Sequence, residues 1–142
     1  MQKPNEAHDS LQSRLKRAKE SLEEAKLLLV QDAAANFVMN GLYYAFFYAM
    51  LGLLESRGLS APSQKAAVSL FEQEFVRSGN MEVTFLHALQ KAFELRPACD
   101  CEGRKKASVE EVEQLLPVAE NFLETAALLI DRSSAKTRPS IA

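Results

Sequence analysis

Between Ala33 and Leu54 the chain carries no charged residue, with Asp32 and Glu55 marking the two ends of the run. A bilayer-spanning helix needs about 20 consecutive apolar residues, so this stretch is long enough to cross a membrane. A helix that is apolar on every side is equally expected at the centre of a soluble bundle or in a contact between copies. Asn36, Asn40, Gly41, Tyr43, Tyr44 and Tyr48 interrupt the run with polar or small groups. The rest of the chain consists of one-sided segments that would lose their central partner if this helix left for lipid. The reading is therefore a soluble domain built around a central apolar helix, with no membrane association.

The surrounding segments have the one-sided character such a centre requires. Asp9 or Ser10 can cap a first helix in which Leu11, Leu15, Ala18, Leu22, Ala25 and Leu29 recur at spacings of four and three. Its other side mixes Arg14, Lys16, Arg17 and Lys19 with Glu20, Glu23 and Glu24, the pattern of a solvated face with helix-spaced ion pairs. Gly58 is placed to end the central helix, and Ser60-Ala61-Pro62 to open a third with Val68, Phe71 and Phe75 on its apolar side. Ser78-Gly79-Asn80 reads as a turn. A fourth helix follows, with Val83, Leu86, Leu89 and Phe93 facing one way, and Pro97 disfavours its continuation past Arg96. Ser108-x-x-Glu111 is a capping-box signature for a last helix carrying Val112, Leu115, Ala119, Phe122, Ala126 and Leu129. Pro117 lies inside that helix and predicts a kink.

These elements predict an all-α fold, an up-and-down antiparallel bundle of four to five helices over residues 9–132, followed by a disordered tail over residues 133–142. A chain of 142 residues with 47% hydrophobic and 25% charged residues is of single-domain size and can bury a core without disulfides or metals. The formal charge of -2 gives no basic surface of the kind DNA binding requires, so any contact with nucleic acid must be local. Cys99 and Cys101 are too few for a disulfide framework, and Met1 to Ser10 lacks the apolar core of a signal peptide, which points to the cytoplasm.

The residues with chemical potential gather after the fourth helix. Arg96 and Asp100 are four apart across a helix end. They either close the last turn as an ion pair or present a guanidinium to a phosphate, with Asp100 orienting it. Arg104, Lys105 and Lys106 follow in the same polar loop and extend the set of phosphate-binding candidates, against the simpler reading of solvated loop charge. Cys99 and Cys101 supply only two thiols where a structural zinc needs four ligands, and His8 and His87 lie far off in sequence. No metal site and no cofactor are expected. Tyr43, Tyr44, Phe47 and Tyr48 on the central helix can stack bases, but on an uncharged helix they read first as core and homodimer interface.

Taken in order, several of these segments resemble the HEPN family in its stand-alone prokaryotic form. The resemblance rests on Ala18-Lys19-Glu20 and Ala25, Tyr43-Tyr44-Ala45-Phe46-Phe47, and Leu70-Phe71-x-x-x-Phe75-Val76-x-x-Gly79. It continues through Leu95-Arg96-x-x-x-Asp100, Ser108-x-Glu110-Glu111 and Ala119-x-x-Phe122, so it covers most of the chain. It implies a homodimeric helical bundle, often encoded beside a small nucleotidyltransferase with which it forms a toxin-antitoxin pair. Some members of the family are metal-independent ribonucleases that use an Arg followed a few residues later by a His. Arg96 matches the Arg, but Pro97 to Gly103 contains no His. Cys101 stands where the family often has Tyr, and Gln64 where it often has His.

General acid-base cleavage of RNA needs a group that exchanges protons near neutral pH, which His does and Arg does not. The expectation is therefore a non-catalytic or weakly active homodimer that binds a partner nucleotidyltransferase and a nucleotide or RNA. A ribonuclease toxin and a purely structural helical adaptor are the two alternatives.

Overall fold

The computed structural model describes the backbone of residues 4–95 and 107–137, and the side chains of residues 12–95 and 107–131. Five α-helices and no strand occur among the described residues: α1 (Pro4–Val30), α2 (Ala35–Ser56), α3 (Gln64–Phe71), α4 (Val83–Leu95) and α5 (Val109–Thr137). A π-helical turn, Glu72–Val76, extends α3.

α1 opens at Pro4, earlier than the caps at Asp9 and Ser10 suggest. Proline suits a first helical turn because the donor it lacks has no partner there, and nothing from Asn5 onward opposes propagation. α1 closes at Asp32, which takes the left-handed conformation (φ 58°), while the Ala33 amide reaches back to the Leu28 carbonyl at 2.9 Å. Gly58, at φ 70°, ends α2 as expected, with the Leu59 amide donating to the Leu54 carbonyl at 2.9 Å.

α3 starts at Gln64, two residues past Pro62, because the Ser63 hydroxyl accepts from the Ala66 amide at 3.1 Å and caps it. The capping box of α5 is present with both halves made. The Glu111 amide donates to Ser108 Oγ, and the Ser108 amide donates to Glu111 Oε1, each at 3.1 Å. α5 is continuous through Pro117, which points to solvent where its ring disturbs the fewest contacts. It also continues past Ser133 to Thr137, so part of the stretch expected as a tail is helical; residues 138–142 lie outside the described residues.

α2 is the centre of the bundle. Phe46, Met50, Leu53 and Leu54 are fully buried, and α1, α3, α4 and α5 all pack on α2. α2 is the helix among the described residues whose length and composition suit a bilayer, and 61% of its most apolar window is buried inside the protein. Arg14 pairs with Glu55 and Arg17 with Tyr48, which fixes α1 and α2 as antiparallel. They approach most closely at Gly41, where an added Cβ would sit 3.1 Å from Ala25 Cβ and 3.3 Å from the Ser21 carbonyl oxygen. α2 and α5 run in the same direction, since Asn36 meets Ala107, Phe46 meets Phe122, and Gly52 lies beside Ile130.

Phe122 ties the core together. Its ring lies 5.6 Å from Phe46, 5.7 Å from Phe71 and 5.3 Å from Phe85, joining α5 to α2, α3 and α4. The expected stripe on α4 holds at Leu86 and Leu89 but not at Val83, which is 50% exposed. Phe85, Ala88 and Ala92 complete the buried face instead, because α4 packs against both α2 and α5 and so needs a wider apolar side.

Candidate functional site

α2 leaves one side uncovered by the other helices. Along it Tyr44, Phe47, Tyr48 and Leu51 are half-buried, and Phe37 near the helix start is 63% exposed. Tyr44 and Tyr48, one turn apart, stack with ring centres 5.8 Å apart, and Phe47 lies 6.1 Å from Tyr48. Tyr43 stands apart from these: only 2% exposed, it faces inward, where its ring packs on Phe47 at 5.7 Å and on Phe93 of α4 at 5.6 Å. Of the four tyrosines and phenylalanines considered for contact with a second copy, Tyr44, Phe47 and Tyr48 are therefore at the surface, and Tyr43 supports them from beneath.

The edge of this face is cationic. Arg17 Nη1 donates to the Tyr48 hydroxyl at 3.3 Å, and its guanidinium carbon stands 5.7 Å from the centre of the Tyr48 ring. Next to it on α1, Arg14 is paired with Glu55 at the far end of α2. Neither contact was legible in the sequence, because each joins residues more than thirty positions apart and no periodicity links them.

Arg96, Asp100, Arg104, Lys105 and Lys106, the candidates for phosphate contact, lie outside the described residues, as do Cys99 and Cys101. Their flanks are described. Leu95 ends α4 with its side chain buried, and the Ala107 amide donates to Asn36 Oδ1 at 3.1 Å, fixing the start of the α5 cap against the N-terminal turn of α2. Lys91 Nζ lies 3.7 Å from Glu111 Oε2 and ties the last turns of α4 to the first turn of α5. The segment that carries Arg96 is thus bounded at both ends by one end of the bundle.

Beside the aromatic face a groove of about 900 Å³ opens between α3 and α4. Val68, Leu89 and Phe93 form its apolar part, and Lys65, Glu72 and Glu94 stand on its rim. Below it the π-helical turn is held by Arg57, whose guanidinium lies 4.0 Å over the Phe75 ring and whose Nη1 donates to the Glu74 carbonyl at 2.5 Å. His87 stands exposed on the outer side of α4. No group of three or more His, Cys, Asp or Glu side chains converges on a point where a cation fits, among the described residues. What this face provides is aromatic and apolar area with a guanidinium beside it, the chemistry of contact rather than of proton transfer.

The family model described as the HEPN domain matches residues 11–129. The chain is 32% identical over 127 residues to a UPF0332 protein of Thermotoga maritima, covering 89% of this chain and 96% of that one. It is 24% identical over 127 residues to a Methanocaldococcus jannaschii protein named "Putative toxin MJ0142", covering 89% of this chain and 86% of that one.

Proposed function

Because the chain belongs to the HEPN family, we propose that it serves as the HEPN component of a toxin-antitoxin-like module, a cytoplasmic homodimer that binds a partner nucleotidyltransferase and a nucleotide or RNA. The observation that carries this reading is the family match over nearly the whole folded chain, combined with a sequence after Arg96 that has no His as far as Ala107. The relative named as a toxin supports the class of module. The missing imidazole supports binding over catalysis, because a guanidinium stays protonated at every physiological pH. It can stabilise charge on a phosphate, but it cannot take the proton from a 2′-hydroxyl. Asp100 is a poor replacement, since an aspartate ordinarily holds no proton to exchange near neutral pH.

The homodimer draws its support from Tyr44, Phe47, Tyr48 and Leu51. Uncharged and half-exposed on the central helix, they form a surface that can meet its own copy without opposing like charges. Two measurements test the reading. Sedimentation at micromolar concentration should give a dimer mass, and a monomer mass would overturn the homodimer. Titration with labelled nucleotide should show binding that weakens in Arg96→Ala, and an unchanged affinity would reduce Arg96 to a helix-end ion pair.

A further inference from the structure

On the side of the bundle formed by α1 and α5 lies a second groove, of about 510 Å³, unrelated to the aromatic face of α2. The charges on α5 are separated along its length, with every acid before Arg132 and Lys136, its two cations, in the last turns. From Val109 to Asp131 it carries Glu110, Glu111, Glu113, Glu120, Glu124 and Asp131 and not one Lys or Arg. Three of these acids, Glu120, Glu124 and Asp131, line the groove together with Glu23 of α1. Lys26 is already committed, lying 3.4 Å from Glu23 and 3.5 Å from Glu120. Partial burial is the largest single influence on its ammonium and lowers its pKa, but the two carboxylates together outweigh it and hold the pKa above the ordinary lysine value. Among the described residues no cation pairs with Glu124 or Asp131, and Lys19 is the one other cation on the rim.

Between the acids the groove is apolar. Leu22 and Leu123 close its base, and Ala127 and Leu128 form its side, with Leu128 58% exposed and open to a contact. The groove between α3 and α4 is the more apolar, and its rim charges cancel, Arg77 pairing with Glu72 and Lys65 offsetting Glu94, so it selects no sign of partner. Here the rim selects one.

We infer that the groove between α1 and α5 docks a basic amphipathic segment of a partner protein, its apolar side chain seated on Leu128 and Ala127 and its Lys or Arg side chains facing Glu120, Glu124 and Asp131. An amphipathic helix laid between two helices is a recurrent mode of recognition, with one or two apolar anchors supplying affinity and the charged rim supplying orientation and rate. Leu128 fits the anchor contact because it is already held by the backbone of a long helix and loses little freedom on burial.

The test uses the full chain, labelled with ¹⁵N, and a synthetic helical peptide of about 16 residues, four turns long, with Leu on one face and Lys on the other. A control peptide carries Glu in place of each Lys. The Lys peptide should shift amide signals of α1 and α5 around Leu128, and the Glu peptide should not. Leu128→Ser should weaken binding by about fivefold or more, the expected loss for burying one aliphatic anchor less. The double variant Glu124→Lys with Asp131→Lys should weaken it by about tenfold or more. Glu110→Lys with Glu113→Lys, on the same helix but away from the groove, should leave the affinity within about twofold. All these positions are exposed, and an unchanged melting temperature confirms that each variant folds. The inference is overturned if no binding is seen at about millimolar peptide, if the shifts map to the α2 face or the α3 and α4 groove, or if the remote pair weakens binding as much as the groove pair.

Discussion

Replacing Phe122 by Ala removes the ring on which four helices meet. Phe122 is fully buried and lies within 6 Å, centre to centre, of Phe46, Phe71 and Phe85. Truncating a buried Phe to Ala costs about 3–5 kcal/mol, the upper end applying where the neighbours cannot collapse into the space. Collapse is hindered here because the three facing rings belong to three different helices, each already held by other contacts. Loss of the aromatic pairings, each about 0.5–1.5 kcal/mol beyond burial, reinforces the upper end. The expected loss is therefore about 4–5 kcal/mol, a large fraction of the roughly 5–15 kcal/mol that stabilises a domain of this size. Urea unfolding followed by circular dichroism measures it directly, and the midpoint should fall steeply with an unchanged slope. Phe122→Leu, which keeps most of the volume, should lose less than about 1.5 kcal/mol. A loss below about 1.5 kcal/mol for the Ala variant would refute the claim that this ring joins the helices.

At Gly41 a methyl group crowds Ala25 and the Ser21 carbonyl while gaining about 1 kcal/mol of helix propensity, so Gly41→Ala should be near neutral in urea unfolding. Gly41→Val has no such offset and should lose about 1–3 kcal/mol by forcing α1 from α2. Pro117→Ala restores a backbone donor inside α5 at an exposed position, and should raise stability by about 1–2 kcal/mol, read as a higher melting temperature. Asp32→Gly relieves the left-handed backbone at the end of α1, and a gain of about 0.5–1 kcal/mol in the same assay is expected.

The helices were legible in the sequence where local signals act alone. Gly58 and the Ser108 and Glu111 box mark helix ends by backbone chemistry that does not depend on the rest of the fold. The stripe Leu15, Ala18, Leu22 and Ala25 is buried as its spacing predicts, because α1 has one dominant neighbour. The period is a weaker guide where a helix has several neighbours. On α4 it misplaced Val83 and passed over Phe85, and on α2 it could not separate inward Tyr43 from outward Tyr44, since an uncharged helix carries no polar side to orient it. The π-helical turn at Glu72–Val76 left no sequence signal, and the Arg57 that lies over its Phe75 comes from fifteen or more positions away. Of the candidate site, the aromatic face could be named by residue type, whereas its cationic edge at Arg17 follows only from how α1 lies on α2.

The proposed role, binding with little or no cleavage, is tested by metal-free incubation with structured RNA. Purified wild type and Arg96→Ala would be held with the RNA in chelator at neutral pH, and the products resolved by length. Intact RNA is expected in both, because no imidazole follows Arg96 to exchange the proton that strand cleavage requires. Vigorous cleavage by wild type that disappears in Arg96→Ala would contradict it and make the protein a ribonuclease.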